Sequence, residues 1–203
     1  AIPASMVRTV VDSAKGGGRT VRRPWLGARL QAVNPEIAES VGLERPTGVL
    51  VAGVVEKGPA EEAGIRRGDI ILEVDGRADD DPESFGYRFA LKGVEGRTAV
   101  TVVRGGKRNV LQVRLITAPE TRPRDPVRIR ARSPLADVTA VNLSPAVAEE
   151  MSLDFGTEGV VLQEVERGSV AARVGFQPGD LILAINGERI AASRDLDRAM
   201  REG

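Results

Sequence analysis

One block of sequence occurs twice in this chain. GVLVAGVVEKGPAEEAGIRRGDIILEVDG, beginning at Gly48, faces GVVLQEVERGSVAARVGFQPGDLILAING, beginning at Gly159, without a gap. Upstream, NPEIAESVGL (34–43) faces SPAVAEEMSL (144–153), one residue out of that register. A stacked solenoid needs three or more repeats, so two copies imply two similar domains in tandem. The shared letters have backbone and core roles. Asn34 and Ser144 are placed as helix N-caps, with Pro35 and Pro145 at the first helical positions. VLVAGVV and VVLQEV are β-branched runs of strand length. PAEEAG and VAARVG each predict one helical turn closed by a left-handed glycine, Gly64 or Gly175. Gly68-Asp69 and Gly179-Asp180 turn the chain into IILEV and LILAI, which end at the turn pairs Asp75-Gly76 and Asn186-Gly187. The repeat is therefore architecture rather than a reactive centre.

A second helix follows each turn. In the first copy Asp81 caps it, Pro82 opens it, and Phe85 and Phe89 share a face; in the second, Ser193 is placed as the cap, with Leu196 and Met200 in the matching positions. The first copy continues into a hairpin about Gly105-Gly106, with arms at Arg97–Val103 and Val110–Ile116. The second copy lacks those last strands, reaching Gly203 just past its helix. The predicted divisions are residues 1–20, a helix with a Gly-rich linker; 21–118, the first domain; 119–133, a Pro/Arg-rich linker; and 134–203, the second domain.

Composition narrows the chemistry. The 203 residues contain no His and no Cys, which removes the Ser-His-Asp triad, the Cys-His dyad, zinc helices and disulfides. None of the lysines stands in a Ser-x-x-Lys frame. Lys+Arg and Asp+Glu balance at 29 each, so no global charge draws the chain to nucleic acid or an anionic membrane. No apolar run has the length of a membrane span, and no signal peptide opens the sequence, which starts like the middle of something larger. The arginines of APETRPRDPVRIRARSP (118–134) have no aromatics among them to stack on bases, so they read as the solvated side of a linker, with Val127 and Ile129 facing inward. The chain itself is not expected to be an enzyme, and no cofactor or metal is implied.

Binding is what remains. In PWLGARLQ (24–31), a glycine between apolar residues ahead of a strand lets successive backbone N–H groups converge on an anion. A strand leaving such a nest beside an apolar helix face makes a groove for an extended peptide ending in a carboxylate.

The strand–GxxxGD–strand–(D/N)G–helix order, with the Leu26-Gly27-Ala28 loop ahead of it, resembles PDZ domains, and more closely the permuted bacterial type of the HtrA (Do, Deg) serine proteases. AIPASMVRTVV (1–11) looks like the last helix of that family's trypsin-like domain, and SPLADVTAVNLSPAVAEEM like the start of its second PDZ domain. The resemblance implies an α+β, mainly β fold: two permuted PDZ domains in tandem, each a small, partly open β-barrel or sandwich with two short helices, the second truncated. It implies that Trp25, Leu26, Gly27 and Ala28 bind a peptide carboxylate through backbone N–H groups. Leu30, Phe85 and Phe89 either line the pocket for the ligand's last side chain or are plain core; periodicity does not separate the two. The second domain's equivalent loop is Leu135, Ala136, Asp137 and Val138. There Asp137 replaces the glycine, setting a negative charge beside the proposed nest and giving up easy access to positive φ.

The implied function is the peptide-binding regulatory region of a periplasmic quality-control endopeptidase. Its implied partners are unfolded or C-terminal segments of substrate proteins, its own protease domain and further copies in a trimer-based oligomer. A stand-alone tandem-PDZ scaffold is the alternative, and a peptidase of another mechanism with embedded PDZ modules a more remote one.

Overall fold

The computed structural model describes residues 22–153 and 158–202. The expected protease-end helix and Gly-rich linker over residues 1–20 lie outside the described residues. The chain divides into two compact units, the second starting at Pro119. Both combine open antiparallel sheets with short helices, and neither sheet closes into a barrel.

In the first unit the elements run β1 (Ala28–Ala32), α1 (Pro35–Ser40), β2 (Val49–Val54), α2 (Pro59–Ala63), β3 (Ile70–Val74), β4 (Arg77–Ala78), α3 (Pro82–Ala90), β5 (Arg97–Arg104) and β6 (Lys107–Arg114). The sheet order is β1-β2-β3-β5-β6, with β4 folded back on β3. Among the described residues of this unit there are three helices rather than two. The single turn expected at PAEEAG is the five-residue α2, opened by Pro59 and closed by Gly64 at φ 93°. Ile37 N–H donates to Asn34 Oδ1 at 2.8 Å, and Ser84 N–H to Asp81 Oδ1 at 2.8 Å, so both expected caps are made.

β3 sends its side chains to two faces, and the register shift between Ile71 and Glu73 brings Val74 onto the same face as Ile71. Ile71 and Val74 join Val49, Val51, Phe85, Phe89, Val100, Val102 and Val113 in the main core. Ile70 and Leu72 pack with Val33, Ala38 and Val103 on the α1 side. Gly48, where the gapless repeat begins, runs its backbone against β3. A Cβ there would lie 2.5 Å from Ile71 O, whereas at Gly159 the nearest atom would be 3.6 Å away.

Asp69, only 1% exposed, locks the turn between α2 and β3. Its carboxylate accepts from Arg104 Nε at 2.7 Å, Arg104 Nη2 at 2.6 Å and Arg66 N–H at 2.9 Å. Arg104 also donates to Gly64 O at 2.7 Å, which holds the end of β5 against the end of α2.

The second unit runs β7 (Val127–Arg128), β8 (Val138–Asn142), α4 (Pro145–Glu150), β9 (Val160–Val165), α5 (Val170–Arg173), β10 (Leu181–Ile182), β11 (Ala184–Ile185), β12 (Glu188–Arg189) and α6 (Ser193–Glu202). Its sheet order is β10-β9-β8-β7, with β11-β12 as a separate hairpin. β5 and β6 have no counterpart among the described residues here. Leu181 and Leu183 are 41% and 63% exposed, although the matching Ile70 and Leu72 of the first unit are buried. Asp180 accepts from Gln177 N–H at 2.9 Å, repeating the Asp69 turn bond, but no arginine reaches it among the described residues.

Ser193 does not cap α6. It is the helix's first residue, fully buried, and its hydroxyl donates to Asp125 O at 2.6 Å while its N–H donates to Asn142 Oδ1 at 2.8 Å. Residues 119–133, read as a linker, pack as part of this unit, and Ile129 is completely buried.

These contacts set two expectations. Asp69→Ala is expected to cost the first unit about 3 kcal/mol, because it strands Arg104 and opens the turn. Asp180→Ala is expected to cost the second about 1 kcal/mol. Denaturant unfolding followed by the fluorescence of Trp25, the chain's one tryptophan, isolates the first unit. Hydrogen bonds from Lys92 to Asp75, from Ser84 N–H to Asp81 and from Arg194 to Asp125 hold these three carboxyls below their ordinary 3.8. A folded value below the unfolded one means that their stabilisation is complete above the unfolded value and is lost as pH falls through the folded one. Stability is therefore expected to be flat between about pH 5 and 8, where the histidine-free chain has no side chain of ordinary pKa to titrate, and to fall below about pH 4. Chemical denaturation across a pH series checks both limbs.

Candidate functional site

The loop ahead of β1 is pinned by its carbonyls. Ala60 N–H donates to Leu26 O at 2.9 Å, and Val55 N–H to Gly27 O at 2.8 Å. With the carbonyls tied down and Gly27 at φ 72°, the N–H groups of Leu26 and Gly27 have no acceptor among the described residues. Gly27 is closely packed: a Cβ there would lie 3.3 Å from both Pro59 Cδ and Trp25 Cη2. Trp25 N–H, expected to join the nest, already donates to Ile116 O at 2.7 Å. The nest is thus reduced to Leu26 and Gly27, with Ala28 following at the head of β1.

β1 ends its sheet, paired only with β2 among the described residues, and α3 packs against it. An unpaired strand edge beside a helix is the geometry of strand addition. Phe85 and Phe89 are 1% and 4% exposed and stack with ring centroids 5.5 Å apart, so they fill the core under this groove. Leu30 is half-buried and packs against the same cluster.

The second loop repeats the fold of the first. Glu166 N–H donates to Asp137 O at 3.3 Å, as Val55 N–H does to Gly27 O. Asp137 takes φ 63° despite its side chain, so the substitution has not cost the loop its left-handed turn. Leu135 and Val138 are buried, Ala136 half-buried and Asp137 exposed. The surroundings differ sharply. Asp137 N–H donates to Ile129 O at 3.0 Å, Ile129 N–H donates to Val138 O at 2.9 Å, and β7 pairs antiparallel with β8. Arg128 Nη2 reaches Glu166 at 2.5 Å and Asp137 at 3.3 Å. The inward face of Val127 and Ile129 was legible in the sequence; their seat on the outer edge of β8 was not.

Among the described residues, no group of three or more His, Cys, Asp or Glu is placed to hold a metal ion. No helix there is long and apolar enough to cross a membrane. A recess of about 700 Å³ lined by Thr121, Arg122, Leu183, Arg189 and Ile190 lies by the β11-β12 hairpin, apart from the residues of the second loop.

Comparison with known proteins bears on the fold. PDZ domain families match residues 24–115 and 161–201. A probable periplasmic serine endoprotease, DegP-like, from Marinomonas sp. is 36% identical over all of this chain and 42% of its own length. One of the same description from Pseudomonas fulva is 38% identical over 96% of this chain and 41% of its own. The chain thus spans about two fifths of the curated relatives that it matches. Among solved structures, the HtrA-type protease AlgW with a tripeptide is 33% identical, with a TM-score of 0.50, over 59% of this chain and 39% of that one. A variant of AlgW with a decapeptide gives 33% and 0.51 over 61% and 37%. The chain belongs to the PDZ domain family, as a tandem of two such domains.

Proposed function

We propose that this chain is the peptide-binding regulatory region of a periplasmic serine endoprotease of protein quality control. The observation that carries the reading is the pair of unpartnered N–H groups at Leu26 and Gly27, set at the head of an open strand edge beside α3. An extended peptide adds to β1, its terminal carboxylate takes the N–H groups of Leu26 and Gly27 just ahead of Ala28, and its last side chain lies against Leu30. Peptide-bearing structures of the AlgW protease support this reading. The ligands are C-terminal or unfolded segments of substrate proteins, and the catalytic machinery belongs to a protease domain outside this chain. The parent assembles as a trimer-based oligomer, and neither nucleic acid nor a cofactor takes part.

Isothermal titration with peptides that end in a hydrophobic residue tests the nest. The free acid is expected to bind roughly tenfold or more tightly than the amide, because a charge-assisted hydrogen bond contributes about 1.5–3 kcal/mol. Equal affinities would reject the nest. Gly27→Asp is expected to weaken binding of the acid. The purified chain is expected to leave casein intact, since it has neither a histidine nor a Gly-x-Ser-Gly sequence; inhibitor-sensitive cleavage by a clean sample would overturn that.

A further inference from the structure

The second domain's groove is already filled. The strand pairing, the nest bond and the buried end side chain proposed for a ligand in the first domain all have counterparts in residues 127–129 against the second. Val127 and Arg128 pair antiparallel with Ala140 and Thr139 on the outer edge of β8. Ile129 N–H donates to Val138 O, and Ile129 O accepts from Asp137 N–H, the position matching Gly27 in the nest. The Ile129 side chain is completely buried in a cluster with Leu135, Val138, Ala140, Ile190 and Leu196. α6 packs on both β7 and β8, as the flanking helix of a groove would on a bound strand.

We propose that β7 is a built-in ligand: residues 127–129 occupy the second domain's peptide groove, and peptides with a hydrophobic end residue enter it only when this strand is displaced. The inference rests on the reading of the first domain's groove. Two substitutions fit a tethered occupant better than a free one. A tethered strand presents a neutral carbonyl to the loop, so Asp137 meets no terminal carboxylate to repel it. Asp137 and Glu166 together hold Arg128, the side chain between the inward-facing Val127 and Ile129. In the first domain those positions are Gly27 and Val55, and neither offers a partner for a basic residue. The charge pattern is thus tuned to one particular strand. The chain continues through Arg130 in place of a terminal carboxylate, which leaves Ile129 O a single nest bond where a free end would take several. That is a design for occupancy that can be exchanged.

Residue-resolved amide NMR on the whole chain tests this with acetyl-Pro-Val-Arg-Ile, carrying a free carboxylate, as the probe. Leu26–Ala28 report the first groove and Val138–Ala140 the second. In the unaltered chain the Ile129 and Asp137 amides are expected to exchange slowly, and the probe to move only the first set. Arg128→Glu, which leaves the core untouched, is expected to speed Asp137 exchange roughly tenfold and to let the probe move Val138–Ala140. Ile129→Ser removes the anchor and is expected to act in the same direction. Probe entry into the second groove of the unaltered chain at the same concentration as in the variants would overturn the proposal. So would variants whose Asp137 amide stays slow, or whose freed groove takes no probe. A silent Leu26–Ala28 set beside the expected second-domain result would count against the first-domain reading alone and would support this one.

Discussion

The backbone edge of one strand in each domain, β1 in the first and β8 in the second, governs how the rest of the structure is arranged. An edge strand carries a row of donors and acceptors that only another extended chain can satisfy as a set. Each of these strands carries a register shift against its one inner neighbour, at Arg29/Leu30 and at Thr139/Ala140. The loop carbonyls of Leu26 and Gly27 are tied to Ala60 and Val55, which leaves donors free. α3 stands beside the edge with its phenylalanines turned into the core. The two domains treat the same edge in opposite ways: among the described residues β1 is left open, and β8 is covered by the chain's own β7.

The sheet behind the edge is held by a second device, the buried Asp69 carboxylate. Its two bonds to Arg104 connect the turn before β3 with the last residue of β5, thirty-five positions later. The guanidinium is held well charged by that carboxylate. Asp180 keeps the turn bond without the cross-link, and β10 is two residues long where β3 is five. The same repeated dipeptide thus sits in a long strand where a distant arginine reaches it and in a short one where none does.

Local chemistry was readable from the sequence because it is local. Caps at Asn34, Ser144 and Asp81, and left-handed turns at Asp75-Gly76, Gly105-Gly106 and Asn186-Gly187, are each decided within four residues. Errors arose where the deciding partner was remote. The β6 arm starts at Lys107, not Val110, because cross-strand bonds to β5 hold exposed residues that hydrophobicity alone would discard; Val110 is 64% exposed. Ser193 looked like a cap, but its partners, Asp125 and Asn142, are more than fifty residues away. Trp25 lost its place in the nest to Ile116 in the same way. The seat of Ile129 was invisible for the most general reason: two inward residues say that a strand is covered, but not which edge it covers.

Covering β8 moves the edge outward to β7, and the composition of that segment then takes on a different meaning. Pro126 stands immediately before the two-residue strand, Pro123 lies further back, and neither has an N–H to offer a newcomer. Arg130 and Arg132 add two like charges just beyond the strand. A second molecule trying to extend the sheet would meet a short, proline-flanked, cationic border. The segment beside β8 is therefore also a poor template for a further strand, which disfavours strand-to-strand aggregation.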